Sequence, residues 1–93
     1  MQIPNNTLIK ADGTITAFDP HEHGTRLKTW QTLIGGYIEP VAIPNSSSQT
    51  ALVDEEGLIR RGHVELNLTA SALLGTPILG PALIVETAEL DRS

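Results

Sequence analysis

The chain has no cysteine, only three aromatic residues, and six Lys and Arg against 11 Asp and Glu. Each shortage closes a class of function. Without cysteine there is no disulfide, no thiolate zinc site and no thiol nucleophile, so the staples of many very small proteins are missing. A formal charge of −5 argues against broad binding to nucleic acid or anionic lipid, which needs clustered cations to displace counterions. No stretch approaches the roughly 20 apolar residues of a membrane span, and Met1-Gln-Ile-Pro lacks the charged and apolar regions of a secretory leader. The expected address is therefore the cytoplasm. With 93 residues a single domain, 1–93, is the ceiling, and a domain of that size buries only roughly 60 to 65% of its unfolded surface. A homo-oligomer is expected, because subunit contacts would supply the missing burial.

What is present reads as a short α+β pattern. Residues 7–18 hold two β-prone runs around Asp12-Gly13, a hairpin whose Asp-Gly pair suits a type I′ turn with positive φ at both positions. The alternation in these runs is mixed, which leaves open the face that is buried. Pro20 and Gly24 break the strand, and Thr25 is a natural N-cap. Leu27, Trp30, Leu33 and Ile34 then form an apolar stripe on a helix that Gly35-Gly36 closes, giving a unit at 25–36. Strands fill 37–59. The first, 37–43, places Tyr37, Glu39, Val41 and Ile43 on one face, with Pro40 marking an edge or a bulge; 49–53 and a brief 58–59 follow. Leu66, Ala70, Leu73 and Leu74 mark a second helix at 66–75, and 76–79 can add a last small strand. Ala82 to Glu86, a nearly continuous apolar run within 82–87, is the candidate central strand, and the polar tail 88–93 is expected to fray. The order β-β-α-β-β-α-β predicts a small antiparallel sheet with an N-terminal hairpin, covered by two short helices.

Few residues offer chemistry. Asp19, His21, Glu22 and His23 lie close together, but no helix-spaced histidine pair and no third ligand accompany them, so a solvated loop is the better reading; neither a metal nor a cofactor is expected. No Gly-x-Ser-x-Gly elbow is present. Asp54, Glu55 and Glu56 could do acid and base work only if burial raised one pKa, and a solvated turn is favoured. Gly35-Gly36 ends a helix instead of opening one, the wrong polarity for a phosphate cradle. Positive charge is concentrated in two pairs, Arg26 with Lys28 and Arg60 with Arg61, which could hold a phosphorylated ligand if the fold brought them together. Trp30 fits the core by its place on the helix stripe, and the Tyr37 hydroxyl could face a pocket; either ring could stack on a base.

The segment Leu27-Lys-Thr-Trp-Gln-Thr-Leu-Ile-Gly-Gly-Tyr-Ile-Glu39 resembles the signature of a family of small proteins without assigned function, common in phages and in actinobacterial and cyanobacterial genomes. Val53-Asp-Glu-Glu-Gly-Leu58 resembles its acidic turn, Asn67-Leu-Thr-Ala70 its helix start, and Gly80-Pro-Ala-Leu-Ile-Val85 its closing strand. Asp54 stands where the family often has asparagine, and His63-Val-Glu-Leu replaces its usual approach to the second helix. The resemblance implies a small α+β fold in which Glu39, Glu56 and Asn67 are matched polar positions beside glycines.

Two functions are expected from these observations. The first is a non-enzymatic, phage-type protein that sequesters a small, nucleotide-derived signalling ligand in an oligomer pocket and so counters host defence. Its candidate contacts are Arg26, Lys28, Trp30, Tyr37, Glu39, Glu56, Arg60, Arg61 and Asn67. The second is an interaction module that binds a host or phage protein through an acidic face or a strand edge. Hydrolysis by the carboxylates at 54–56 ranks last.

Overall fold

The computed structural model describes residues 3–56 and 65–92; the expected strand at 58–59, and Arg60, Arg61 and His63, lie outside the described residues. Two strands, β1 (Thr7–Ile9) and β2 (Ile15–Ala17), precede helix α1 (Arg26–Ile34). Strands β3 (Ile38–Ala42) and β4 (Gln49–Asp54), helix α2 (Leu68–Leu74), strand β5 (Ala82–Glu86) and a closing 3-10 turn, Thr87–Arg92, complete the chain. All pairings are antiparallel, in the order β2-β1-β5-β4-β3. The fold is the expected small α+β arrangement, with the apolar Ala82–Glu86 run at the centre of the sheet and the Pro40 strand at its edge.

The two helices lie on opposite faces of that sheet. Ile9, Ala51, Val53, Ala82 and Ile84 form one apolar face with Ala70 and Leu74 of α2. Leu8, Leu52, Leu83 and Val85 form the other with Trp30 and Ile34 of α1. This explains the mixed pattern of the first strand: all three residues of β1 are buried because both faces are covered. It also explains the continuous apolar run of β5, which has no solvent side to keep polar.

Local chemistry sets the ends of the elements. Thr25 caps α1 by accepting the Lys28 N–H on its hydroxyl at 3.1 Å. Gly35 closes the helix at φ 90°, a left-handed conformation that glycine adopts without the Cβ penalty. Helix α2 starts later than the apolar spacing suggests. Asn67 is extended and acts as N-cap, accepting the Ala70 N–H at 3.0 Å, so Leu66 falls outside the helix and bridges Leu79 instead. Among the described residues that bridge is all that forms of the small strand expected at 76–79.

Two further expectations are corrected. The Asp12-Gly13 hairpin is not type I′: Gly13 has φ 95°, but Asp12 is not in the positive-φ region. The Gly13 N–H donates to Lys10 O at 3.0 Å and the Lys10 N–H to Thr14 O at 2.9 Å, a three-residue loop of a tight turn followed by a left-handed glycine. The Asp12 carboxylate holds it by accepting the Thr14 N–H at 2.9 Å. The tail does not fray through Arg92. Residues Thr87–Arg92 form the 3-10 turn, Leu90 packs against the core on the α1 face, and Glu89 Oε2 meets Arg26 Nε at 2.8 Å.

Candidate functional site

The register brings two of the resemblance segments side by side. Ile38 pairs with Asp54 and Glu39 with Val53, and the Glu55 N–H donates to Tyr37 O at 3.0 Å. The Tyr-Ile-Glu end of the first segment and the acidic start of the second therefore form neighbouring strands at one corner of the sheet. A cleft of about 240 Å³ opens there, on the α2 face. Glu39, Asp54 and Glu55 border it, Asp54 through its backbone because it pairs with Ile38 of the α1 face and its carboxylate accepts the Glu56 N–H; Val41, Val53 and Ile78 line it with apolar surface, and the connection from α2 to β5 forms the opposite wall.

That wall is held from below by Asn67. Its N–H donates to Ile78 O at 2.8 Å, and its side-chain amide donates to Gly80 O at 2.8 Å and Ile9 O at 3.0 Å. Ser71 Oγ accepts the Ile78 N–H at 2.8 Å and fixes the same segment to α2. Asn67 has no exposed surface, so its place is in supporting the cleft and not in its lining.

The other residues expected at a site are dispersed. Trp30, 1% exposed, is in the core on the α1 face and presents no surface for stacking. Arg26 is engaged by Glu89, and Lys28 is exposed on α1, which covers the face opposite the cleft. Tyr37 is 67% exposed just before β3, and Glu56 is exposed beyond β4 with its N–H bonded to Asp54 Oδ1 at 2.9 Å. Arg60 and Arg61 lie outside the described residues. Of the seven candidates among the described residues only Glu39 lines the cleft. Asp54 and Glu55 were legible as an acidic turn, whereas the 76–79 wall was legible only as a possible small strand, with no sign of a site role.

The histidine loop serves the start of α1. The His21 N–H donates to Asp19 Oδ1 at 2.9 Å, its ring Nδ1 is 3.1 Å from Gly24 O, and the His23 N–H donates to the buried Thr29 hydroxyl at 3.1 Å. Among the described residues no three His, Asp or Glu converge as a metal centre would require. No helix among them is long and apolar enough to cross a membrane. A second, larger hollow of about 440 Å³ lies at the other end of β4, bordered by Ser46, Ser48 and Gln49, and contains none of the candidate residues.

Chemically, the cleft offers carboxylate acceptors above apolar surface, which suits hydroxyl or amino donors on a ring and disfavours an anion. No curated protein and no solved structure matches the chain. A family model does, over residues 7–92, from the first residue of β1 to the last of the 3-10 turn, and the chain belongs to that family, described as a domain of unknown function (DUF3846).

Proposed function

We propose that this is a non-enzymatic binding protein, phage-type in origin, that sequesters a nucleotide-derived signalling ligand as a homo-oligomer and blunts a host defence response. The observation that supports this reading is the convergence of two resemblance segments on one cleft, with Glu39 from the first and Asp54 and Glu55 from the second. At about 240 Å³ the cleft is smaller than the roughly 300 Å³ at which drug-sized pockets begin, so it takes one ring of the ligand and not a whole nucleotide. The carboxylates accept from ribose hydroxyls or an exocyclic amine, while the ring lies against Val41, Val53 and Ile78. The phosphates face away from the cleft, because the Glu39 and Glu55 carboxylates repel them.

Calorimetric titration with ribonucleosides, cyclic nucleotides and ADP-ribose derivatives tests the proposal. Ribose-containing ligands are expected to bind, inorganic phosphate alone is not, and Glu39→Gln should weaken binding by roughly tenfold or more, the scale of one charge-assisted hydrogen bond. Absence of heat with every nucleotide would end this reading.

An interaction module remains the second reading, favoured by one observation: all three residues of β2, an edge strand, are exposed. Recovery of a stoichiometric host or phage protein on immobilised chain, with no nucleotide bound, would put it first.

A further inference from the structure

The sheet has two edge strands, and they differ in what they offer a neighbour. In an antiparallel ladder residues alternate between bonding to the adjacent strand and facing away from it. The Glu55 N–H bond to Tyr37 O sets the phase on β3: Glu39 and Val41 bond to β4, while Ile38, Pro40 and Ala42 face out. Pro40, central in that outward set, has no N–H to give, so β3 cannot extend the sheet. On β2 the bonds from Lys10 N–H to Thr14 O and from Phe18 N–H to Asn6 O make Thr16 the residue that bonds to Leu8. The N–H and C=O groups of Ile15 and Ala17 therefore face outward. The Thr16 hydroxyl makes a long 3.4 Å bond to Ala17 O, and β2 contains neither proline nor a charged side chain.

We infer that β2 pairs antiparallel with β2 of a second copy, about a two-fold axis at Thr16, joining two five-stranded sheets into one. Three features select a second copy as the occupant. The outward pattern is self-complementary: with Thr16 on the axis, Ile15 stands opposite the partner's Ala17, Ala17 opposite the partner's Ile15, and each pair exchanges two hydrogen bonds. Charge points the same way. Two chains of net charge −5 repel over most approaches, but the uncharged residues of β2 let them meet without opposing carboxylates. The third feature is apolar surface at the same corner. Ile15 is 49% exposed on the α2 face of the sheet, and Leu66 and Leu68, 46% and 70% exposed, flank Asn67. The Asn67 side chain bonds to Ile9 O, and Ile9 is the residue paired with Ile15. A two-fold perpendicular to the sheet places these side chains of both copies on a common face.

The seam stands apart from the ligand reading. A dimer that binds no nucleotide keeps the seam and loses the ligand, and a monomer that binds nucleotide at the cleft loses the seam and the oligomer but keeps the ligand. Because the chain has no cysteine, Thr16→Cys introduces its only thiol. On the axis the two Thr16 Cα atoms form a non-hydrogen-bonded pair about 4.5 Å apart, within disulfide range. Mild oxidation of the full chain at micromolar concentration is expected to convert most of Thr16→Cys into a disulfide dimer of twice 10.0 kDa. Ala42→Cys, outward on β3, should stay largely monomeric. Equal, low cross-linking of the two folded variants would overturn the seam. Should Thr16→Cys fail to fold by circular dichroism, the wild-type chain decides: the Ile15 and Ala17 amides are expected to exchange about tenfold or more slowly as protein concentration rises. Exchange at the unprotected rate throughout would refute the pairing.

Discussion

Asn67 joins three parts of the chain through one side chain: it caps α2 at Ala70 and donates to the carbonyls of Ile9 and Gly80. Asn67→Ala removes the cap, worth about 1 kcal/mol, and leaves two buried carbonyls short of a donor at roughly 1 kcal/mol or more each. Chemical denaturation should show a loss of about 3 kcal/mol, a large share of the few kcal/mol a domain this small commands. Trp30 makes a spectroscopic prediction. Enclosed at 1% exposure, with Nε1 lacking a hydrogen-bond partner, it should emit at short wavelength, resist soluble quenchers and stay unchanged when ligand binds. Asp12 supplies a pH dependence. The Thr14 N–H first and its hydroxyl second hold the Asp12 pKa below its ordinary 3.8. The support it gives the turn is thus complete above the ordinary value and fades as pH falls through the lower folded one. The Thr14 amide resonance should report that titration, and should not do so in Asp12→Asn. The same contact accounts for the turn type. Asp-Gly alone pointed to positive φ at both positions, and the carboxylate bond to Thr14 belongs to a three-residue loop instead.

At the scale of elements, the last residues show how a short apolar anchor outweighs polar composition. Leu90, partly buried, packs against the core on the α1 face, and Glu89 pairs with Arg26 at 2.8 Å, tying the end of the chain to the start of α1. Leu90→Ala should cost about 1 to 2 kcal/mol, and Arg26→Ala less than about 1 kcal/mol, since the ion pair is partly open to water; thermal unfolding of the two variants tests the ranking. Six residues of tail with one leucine read as fraying because the partner surface on α1 is remote in sequence. The five strands, both helices, the edge position of Pro40 and the centrality of β5 were legible, since each rests on local spacing, caps or a continuous apolar run. Which helix covers which face was not. In β1 the alternation carries no side preference when both faces are buried, as Thr7, Leu8 and Ile9 all are.

Across the whole molecule, the site was legible in its acidic half and hidden in its other half. Glu39 and the 54–56 carboxylates stood out by resemblance and by charge, but their adjacency depends on the β3 and β4 register, and the opposing wall depends on Asn67, 11 or more residues from any of them in sequence. Arg26 and Lys28 were grouped with the site by charge alone, and the placement of α1 on the far face separates them from it. The molecule thus joins two separate surfaces, an acidic cleft at the β3 and β4 corner and an open strand at β2, on opposite edges of one sheet. The cleft carries the functional claim, and amide chemical-shift mapping during a nucleotide titration tests it most directly. The account predicts shifts concentrated at Glu39, Asp54, Glu55 and residues 76–79, reduced in Glu39→Gln; shifts absent there, or confined to α1 around Arg26 and Lys28, would contradict it.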